Sequence, residues 1–300
     1  MVDKPAGLTS HDVVARCRRL AGTRKVGHAG TLDPMATGVL VVGVGRATRL
    51  LTYVVGADKA YDATIRLGVG TTTDDAEGAV TTTPGVGAGV ERTALDREVA
   101  VLTGEIQQVP TTVSAIKVDG RRAYDRARAG EDVELAARRV TVSSFEVLAT
   151  RPGTADDGTP VLDLDARVVV SSGTYVRALA RDLGTALGTA GHLTALRRTR
   201  VGGYELAGAR TLEAMEAQAD GDGVLATTPL ADAARATFTV RELTEAEARA
   251  LGYGQWVAPS GSGGTVAGIG PDGALVALLE DTSRRGERLA KPVLVLAPAG

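Results

Sequence analysis

The stretch that most constrains this chain is residues 27–40, GHAGTLDPMATGVL, which holds a single carboxylate among small, apolar and conformationally special residues. Its glycines permit tight turns and close approach of the backbone. Pro34 fixes its own φ and restricts the residue before it, Asp33, to extended geometry. The apolar run at residues 39–42 predicts a buried strand. An isolated Asp-Pro pair is more often a turn former, but the length of this run favours a functional carboxylate on a stiff loop beside the core.

Further short blocks follow one another along the first two-thirds of the chain. They are residues 2–10 (VDKPAGLTS), 59–61 (KAY), 108–110 (QVP), 114–117 (SAIK), 124–130 (YDRARAG), 172–177 (SGTYVR) and 196–199 (LRRT). Together with residues 27–40, these blocks resemble the signature of the bacterial tRNA pseudouridine-55 synthases, the TruB family. The blocks also come in the order in which that family has them, which chance does not explain.

The resemblance implies a mixed α/β (α+β) fold. Residues 1–235 would form a pseudouridine synthase catalytic domain with a largely antiparallel central sheet flanked by helices. Residues 236–300 would form a small β-rich, PUA-like RNA-binding module, although the motif match there is weak and the region is net acidic. The implied activity converts the T-loop uridine at position 55 of tRNA to pseudouridine by breaking the C1′–N1 bond and forming a C1′–C5 bond. The implied enzyme is a cytoplasmic monomer that binds the tRNA T-arm and needs no cofactor, metal or obligate protein partner.

Three residues match positions that the family uses in the chemistry. Asp33 corresponds to the essential carboxylate, Arg177 to the arginine that pairs with it, and Tyr61 to the aromatic residue that stacks on the target uracil. A carboxylate near C1′ can stabilise positive charge, attack the sugar or take a proton from it, and the sequence leaves these routes open. The pair with Arg177 is expected to lower the pKa of Asp33. On pattern alone, a strand tyrosine is more often packing and a helix arginine more often a surface charge.

The target uridine lies folded inside the T-arm, so it must be flipped out before it can react, and the pocket must repay the cost of unstacking it. The resemblance implies that His28 occupies space near the flipped nucleotides, with Tyr175 and Leu196 in the pocket. Lys4 would touch the RNA backbone. A satisfied structural histidine and an ordinary core leucine are the plain alternatives for His28 and Leu196.

The net charge of −2 hides an uneven distribution. Residues 1–60 carry nine Lys and Arg against four Asp and Glu, and residues 112–200 carry fourteen against eleven. One basic cluster precedes the Asp33 loop and a second includes Arg121 and Arg126. A single cluster is usually a solvated helix face, but two beside the candidate catalytic residues favour phosphate contacts. Arg121 and Arg126 are therefore predicted to bind RNA.

Composition excludes several other classes of protein. No apolar run is long enough to span a membrane, and the charged residues directly after Val2 argue against a signal peptide. The one cysteine, Cys17, excludes an internal disulfide and falls on an apolar helix face, and the histidines lack the spacing of metal ligands. The family's apolar strand before the Asp-Lys-Pro block is shortened here to Met1 and Val2. Either that strand is lost or the true start lies upstream.

Local patterns predict individual elements. Thr9, followed three residues later by Asp12, has the form of a capping box and predicts a helix to about Gly22. Alternating apolar and polar residues predict strands over 61–67 and 162–168. The other predicted elements are helices over 91–102, 121–130 and 176–187, and, in the C-terminal region, a strand from 238, a helix over 245–251 and strands over 265–269 and 274–279.

Two other functions remain open from the sequence. A tRNA-binding folding chaperone with secondary catalytic activity would share the RNA-binding features, but the set Asp33, Tyr61 and Arg177 argues against a purely binding protein. A glycoside hydrolase would need two carboxylates that flank the scissile bond, and no second acid stands out.

Overall fold

The computed structural model describes residues 1–87, 89–111, 135–221, 223 and 225–297, together with the backbone alone of residues 117–118, 121–122 and 222. The α-helices are α1 (Ser10–Leu20), α2 (Leu51–Val55), α3 (Arg92–Val101), α4 (Val176–Ala186), α5 (Leu212–Asp222), α6 (Leu230–Arg235) and α7 (Glu245–Gly252). Short 3₁₀ helices lie at Gly45–Arg49 and Leu206–Gly208. Within these ranges, no helix combines the length and the apolar composition needed to cross a bilayer.

The strands pair into one large sheet and several smaller ones. They are β1 (Val2–Lys4), β2 (Val26–Ala29), β3 (Thr37–Val44), β4 (Lys59–Leu67), β5 (Gly70–Thr71), β6 (Val80–Thr82), β7 (Gly104–Gln108), β8 (Lys117–Val118), β9 (Arg121–Arg122), β10 (Arg138–Thr154), β11 (Pro160–Val170), β12 (Gly191–Val201), β13 (Tyr204–Glu205), β14 (Thr239–Glu242), β15 (Val266–Ile269), β16 (Leu275–Arg284) and β17 (Glu287–Val295). The large sheet has nine strands in the order β1-β3-β12-β4-β11-β10-β7, with β2 on β3 and β13 on β12. Its neighbours are antiparallel except for β3 and β12. The predicted mixed fold with a largely antiparallel sheet is confirmed.

The core of the large sheet follows from the alternation of residues in its central strands. In β4, Tyr61, Ala63 and Ile65 are buried, whereas the residues between them are partly exposed. Strand β4 pairs on one side with β11 and on the other with β12. Helix α4 packs its apolar face, with Leu179 and Leu183, into the same core. This packing places the first turn of α4 against the sheet.

Helix α1 begins with the predicted capping box. The Thr9 hydroxyl accepts the Asp12 N–H at 3.1 Å, and the Asp12 carboxylate accepts the Thr9 N–H at 2.8 Å. Cys17 is buried on the apolar face of α1, in a cluster with Val2 of β1 and Leu40 of β3. Because β1 pairs antiparallel with β3, the strand at the Asp-Lys-Pro block is present and not lost.

The structure departs from the predicted elements in the middle of the chain. Of the predicted basic helix over 121–130, residues 121–122 form β9, which pairs with β8, and the remaining residues lie outside the described part of the chain. Strands β7, β10 and β12 were not predicted. In the C-terminal region, by contrast, the helix over 245–252 and the strands over 266–269 and 275–284 agree with the prediction.

The C-terminal strands form a separate sheet that shares a core with the first part of the chain. This sheet has four strands in the order β14-β15-β16-β17. Leu50 and Ala234 lie in one apolar cluster with residues of β15 and β16. The rings of Tyr53 and Phe238 meet edge to face with their centroids 5.7 Å apart. The predicted domain boundary at 235/236 therefore falls between two elements, α6 and β14, that both contribute to this cluster.

Deletion of residues 236–300 should lower the melting temperature by roughly 5–10 °C, because Leu50 and Tyr53 lose their apolar cover. The shortened chain should stay folded, and calorimetry checks both outcomes. Tyr253→Ala, a change at a residue of the same region that is 63% exposed, is the control and should leave the melting temperature unchanged. Global unfolding of the shortened chain would show that the boundary does not delimit an independent domain.

Candidate active site

The loop that carries Asp33 is tied to the N-terminal segment on both sides of the carboxylate. Ser10, the first residue of α1, is completely buried. Its Oγ accepts the Leu32 N–H at 2.9 Å and lies 3.2 Å from Leu32 O, to which it donates. On the other side of Asp33, Pro34 O accepts a hydrogen bond from Lys4 Nζ at 3.1 Å. The backbone that carries the carboxylate is therefore fixed before any substrate binds.

The same loop is also held by Arg198 of β12. This side chain is completely buried, and it donates through Nε to Val39 O at 2.7 Å and through Nη2 to Gly30 O at 3.0 Å. Gly38 has a φ of +99°, and a Cβ at that position would lie 2.2 Å from Arg198 O. Only glycine therefore permits the close parallel approach of β3 to β12.

Arg177, the second residue of α4, binds the Asp33 carboxylate in a bidentate ion pair. Its Nε lies 3.0 Å from Oδ2 and its Nη2 lies 3.1 Å from Oδ1. The side chain of Arg177 is 5% exposed and that of Asp33 is 34% exposed, so the carboxylate opens to solvent while its partner does not. A bidentate pair fixes the plane of the carboxylate as well as its position. The fold thus brings together two predicted residues that are 144 positions apart.

Arg177 is itself fixed by Asp75, which the sequence analysis did not single out. The side chain of Asp75 is 3% exposed, and its Oδ2 lies 3.4 Å from Arg177 Nη1. The same nitrogen donates to Thr73 O at 2.8 Å. Asp75 Oδ1 accepts the Glu77 N–H at 3.0 Å and the Thr73 hydroxyl at 2.5 Å. With so many donors around it, Asp75 orients the arginine and is not presented as a second catalytic acid.

Burial raises the pKa of the Asp33 carboxyl above its usual value, and the neighbouring charge of Asp75 adds to this rise. The guanidinium of Arg177 acts in the opposite direction but does not outweigh the loss of solvation. The lowered pKa that was predicted from the ion pair is therefore wrong. Asp33 takes up a proton at a higher pH than an exposed aspartate does.

Tyr61 and Leu196 lie on the neighbouring strands β4 and β12, close to the loop. Each is 7% exposed, and both belong to the apolar cluster that contains Leu32, the residue before Asp33. Leu196 also lines an open cleft of about 550 Å³ together with Met35. Both residues are thus brought next to the Asp33 loop as core residues, and Leu196, the predicted pocket residue, also borders an opening.

His28 lies in β2 and meets His11 of α1 edge to face, with the ring centroids 5.6 Å apart. Its Nδ1 is buried and has no hydrogen-bond partner in the part of the chain that the structure describes. Burial, assisted by the charge of His11, lowers the pKa of His28, so the ring is neutral near pH 7. A buried neutral ring with an unused nitrogen can pair with a polar group that a substrate brings.

Lys4 does not lie where a contact with RNA was predicted. The residue is completely buried, and besides its bond to Pro34 its Nζ donates to Leu8 O at 2.7 Å and to Pro5 O at 2.9 Å. Burial lowers the pKa of this ammonium to about 8. Its hydrogen bonds support the Asp33 loop, and it cannot reach an RNA backbone without breaking them.

Of the remaining predicted binding residues, the structure describes Tyr175 but not the side chains of Arg121 and Arg126. Tyr175 is half-buried and directly precedes α4, two residues before Arg177. The side chain of Arg121 and the whole of Arg126 lie outside the described residues. Among the described residues, no group of three or more His, Cys, Asp and Glu side chains is placed to hold a metal ion.

Sequence reasoning missed residues whose role is to hold others. Arg198 lies inside the block 196–199, so the resemblance marked the stretch without indicating which side chain supports the loop. Asp75 lies in a run of threonines and acids that carries no signal of its own. Its ion pair with Arg177 is what connects it to the candidate site, whereas Asp74 pairs with Arg181.

The chain matches models of known protein families over most of its length. Residues 18–176 match the N-terminal domain of the TruB family of pseudouridylate synthases. The chain belongs to the TruB family. Residues 177–231 match the C-terminal domain of tRNA pseudouridylate synthase B, and residues 238–297 match the C-terminal domain of tRNA pseudouridine synthase II.

Individual relatives agree with this membership. The chain is 58% identical over 308 residues to the tRNA pseudouridine synthase B of Arthrobacter sp. (strain FB24), covering 100% of this chain and 96% of that protein. It is 57% identical over 301 residues to the tRNA pseudouridine synthase B of Nocardia farcinica (strain IFM 10152), covering 100% and 93%. A chain in the crystal structure of a Cbf5-Nop10-Gar1 complex superposes with a TM-score of 0.73 at 26% identity, over 99% of this chain and 84% of that chain.

Proposed function

We propose that this protein is a tRNA pseudouridine synthase that isomerises uridine 55 in the T-loop of tRNA. The observation that carries the proposal is the Asp33 carboxylate, fixed in plane by Arg177 on a loop held from both sides, in a chain of the TruB family. The enzyme acts as a monomer in the cytoplasm, without metal or cofactor, and these points rest on the resemblance alone.

The chemistry needs one carboxylate at the sugar. The C1′–N1 bond breaks, the uracil rotates and C5 joins C1′, while the proton lost from C5 balances the proton gained by N1. No group is added and no electrons leave, so no donor or redox partner is required. Asp33 acts next to C1′, by stabilising positive charge, by attacking the sugar or by taking a proton from it. The two hydrogen bonds from Arg177 aim its oxygens for any of these routes.

The neighbouring residues bind the flipped uridine. Tyr61 stacks on the uracil, and Leu196 borders the opening through which the base enters. The unused Nδ1 of His28 pairs with a polar group of the flipped nucleotides or their neighbours. Tyr175, two residues before Arg177 in the chain, takes the pocket position that the resemblance implies. Lys4 contributes by holding the loop and not by touching RNA.

Incubation of the protein with unmodified tRNA, followed by chemical mapping of pseudouridine, tests the proposal. The expected product is pseudouridine at position 55 only. A tRNA in which that uridine is replaced by cytidine is the matched control and should remain unmodified. Absence of pseudouridine from a folded, tRNA-binding protein would contradict the proposed activity and favour the chaperone alternative.

The basic residues in the middle of the chain are expected to position the tRNA. Arg121→Ala and Arg126→Ala should each weaken tRNA binding and flatten its dependence on salt, because each removes about one phosphate contact. Arg97→Ala, a change at a residue of α3 whose side chain is 70% exposed, is the control and should leave the affinity and the salt slope unchanged. Unchanged affinity and salt slope in the first two variants would mean that these arginines are solvated surface charges.

The two alternative functions, a tRNA-binding chaperone and a glycoside hydrolase, fit this site less well. A purely binding chaperone would not need a carboxylate held in plane by a buried arginine. A glycoside hydrolase needs two presented carboxylates, and the second acid at this site, Asp75, is buried and engaged by its own donors.

A further inference from the structure

We propose that Gln108 is a positioning residue of the reaction. Its side-chain amide makes two hydrogen bonds to the backbone of Tyr175 and so fixes the start of α4, from which Arg177 binds Asp33. This inference rests on the proposed function, since it assumes that the Asp33–Arg177 pair carries the chemistry. It concerns a side chain on an edge strand that need not touch the substrate.

The contact between Gln108 and Tyr175 uses both ends of one amide. Gln108 Oε1 accepts the Tyr175 N–H at 2.9 Å, and Gln108 Nε2 donates to Tyr175 O at 3.1 Å. Gln108 is the last residue of β7 and is 1% exposed. Because one end must accept and the other must donate, the amide can bind Tyr175 in one orientation only. Among side chains of this length, glutamine offers this pair of bonds at every pH, whereas glutamate offers it only when protonated.

The place of this contact is the start of a helix that lacks an ordinary cap. Tyr175 is the N-cap residue of α4, and its side chain makes no capping hydrogen bond to the helix. The chain enters the helix through Gly173, which has a φ of +88°. Tyr175 O also accepts the Leu179 N–H at 3.2 Å, the first hydrogen bond of the helix. Gln108 thus fixes from outside the end of α4 that a capping side chain would normally fix.

When Gln108 fixes Tyr175, it also fixes the position of Arg177, because Arg177 lies two residues further along the chain in the first turn of α4. Its guanidinium must meet Asp33 through two nitrogens and Thr73 O through a third, all within 3.1 Å. A second link joins the same two elements, since Arg181 Nη2 donates to Val109 O at 2.7 Å. A small shift of the helix start would loosen the bidentate pair and misplace the carboxylate relative to C1′. Misplacement by about 1 Å can cost on the order of 100-fold in rate.

Gln108→Met tests the proposal, since methionine fills the same space without either hydrogen bond. The kcat for unmodified tRNA should fall by about 30-fold, with KM changed less than about threefold. Gln107→Met is the matched control, because this neighbour on the same strand is exposed, and it should leave kcat unchanged. A Gln108→Met variant that melts at a lower temperature but keeps the wild-type kcat would overturn the proposal, as the residue would then be purely structural.

Gln108→Glu gives a second readout that does not depend on how stable the first variant is. The glutamate can accept the Tyr175 N–H in either form, but it can donate to Tyr175 O only when protonated, and burial favours that form. The activity of this variant, divided by that of the wild type at the same pH, should therefore rise as the pH falls. The division cancels the titration of Asp33 and of every other group that the two proteins share, including Arg138, which pairs with residue 108 across the sheet, and Arg181, which binds Val109 O. A ratio that stays near one across the pH range, together with a wild-type kcat for Gln108→Met, would contradict the proposal.

Asp33→Asn is assayed beside these variants to distinguish a failure of the proposal for Gln108 from a failure of the proposed function. If Asp33→Asn is inactive and Gln108→Met turns over like the wild type, the proposal for Gln108 fails and the proposed function stands. If Asp33→Asn keeps its turnover, the proposed function itself fails.

Discussion

Replacement of Asp33 by Asn should lower turnover by at least ~1000-fold, a loss of roughly 4 kcal/mol in transition-state stabilisation. Asn is nearly isosteric, accepts the same backbone conformation and can still form a turn at the Asp-Pro step. It removes the negative charge at C1′ and one acceptor of the bidentate pair with Arg177. Because the loop is held through Ser10, Lys4 and Arg198, the fold and the affinity for tRNA should remain. Single-turnover measurement of pseudouridine formation gives the rate.

Thermal melting of the same Asp33→Asn sample and its dissociation constant for tRNA are the controls. Both should match the wild-type values. A folded variant that keeps more than about a tenth of the wild-type turnover, a loss of less than about 1.4 kcal/mol, would return Asp33 to the role of a turn former.

The second large effect is expected for Arg177→Gln. At neutral pH the turnover should fall on the order of 100-fold, because the carboxylate loses the two hydrogen bonds that fix its plane. The charge of Arg177 is also what opposes the rise in the pKa of Asp33. Without it, only the weaker effect of Lys4 still opposes burial and Asp75, so the pKa of Asp33 rises further and its ionised fraction at a given pH falls. The acid limb of kcat/KM should therefore move to higher pH, which a pH–rate profile measures.

Arg177→Lys is the matched variant, since it keeps the charge and loses the planar fork. It should shift the acid limb less than Arg177→Gln while still lowering turnover. If the acid limb of Arg177→Gln moved to lower pH or stayed in place, either Asp33 would not be the titrating group or its ionised form would not be the active one.

Much of the fold could be predicted because local patterns govern it. The capping box of Thr9 and Asp12 starts α1 through contacts within four residues, and the alternation in β4 reflects one buried face. Strand β12 escaped prediction because its register shifts between Leu193 and Ala195 and again between Arg198 and Arg200. Each bulge interrupts the period of two that marks a strand in sequence.

The same distinction between local sequence patterns and distant contacts applies to the candidate site. Asp33, Arg177 and Tyr61 could be named because they lie in blocks that resemble a family, and the structure brings Arg177 to Asp33. The supporting residues could not be named, because their importance lies in partners that are distant in sequence. Asp75 matters only through Arg177, and Lys4 is an anchor only because Pro34 O lies within reach of its ammonium.

The parallel pairing of β3 with β12 determines when the site can form during synthesis of the chain. Arg198 of β12 reaches Gly30 across 168 positions, and Arg177 reaches Asp33 across 144. Contacts of such long range form late, since the loop between them must close first. While residue 198 of a nascent chain is still inside the ribosome, the Asp33 loop lacks its hydrogen bonds from Arg198. The Asp33 carboxylate also lacks its ion pair with Arg177. The site therefore cannot assemble before both halves of the large sheet have been synthesised.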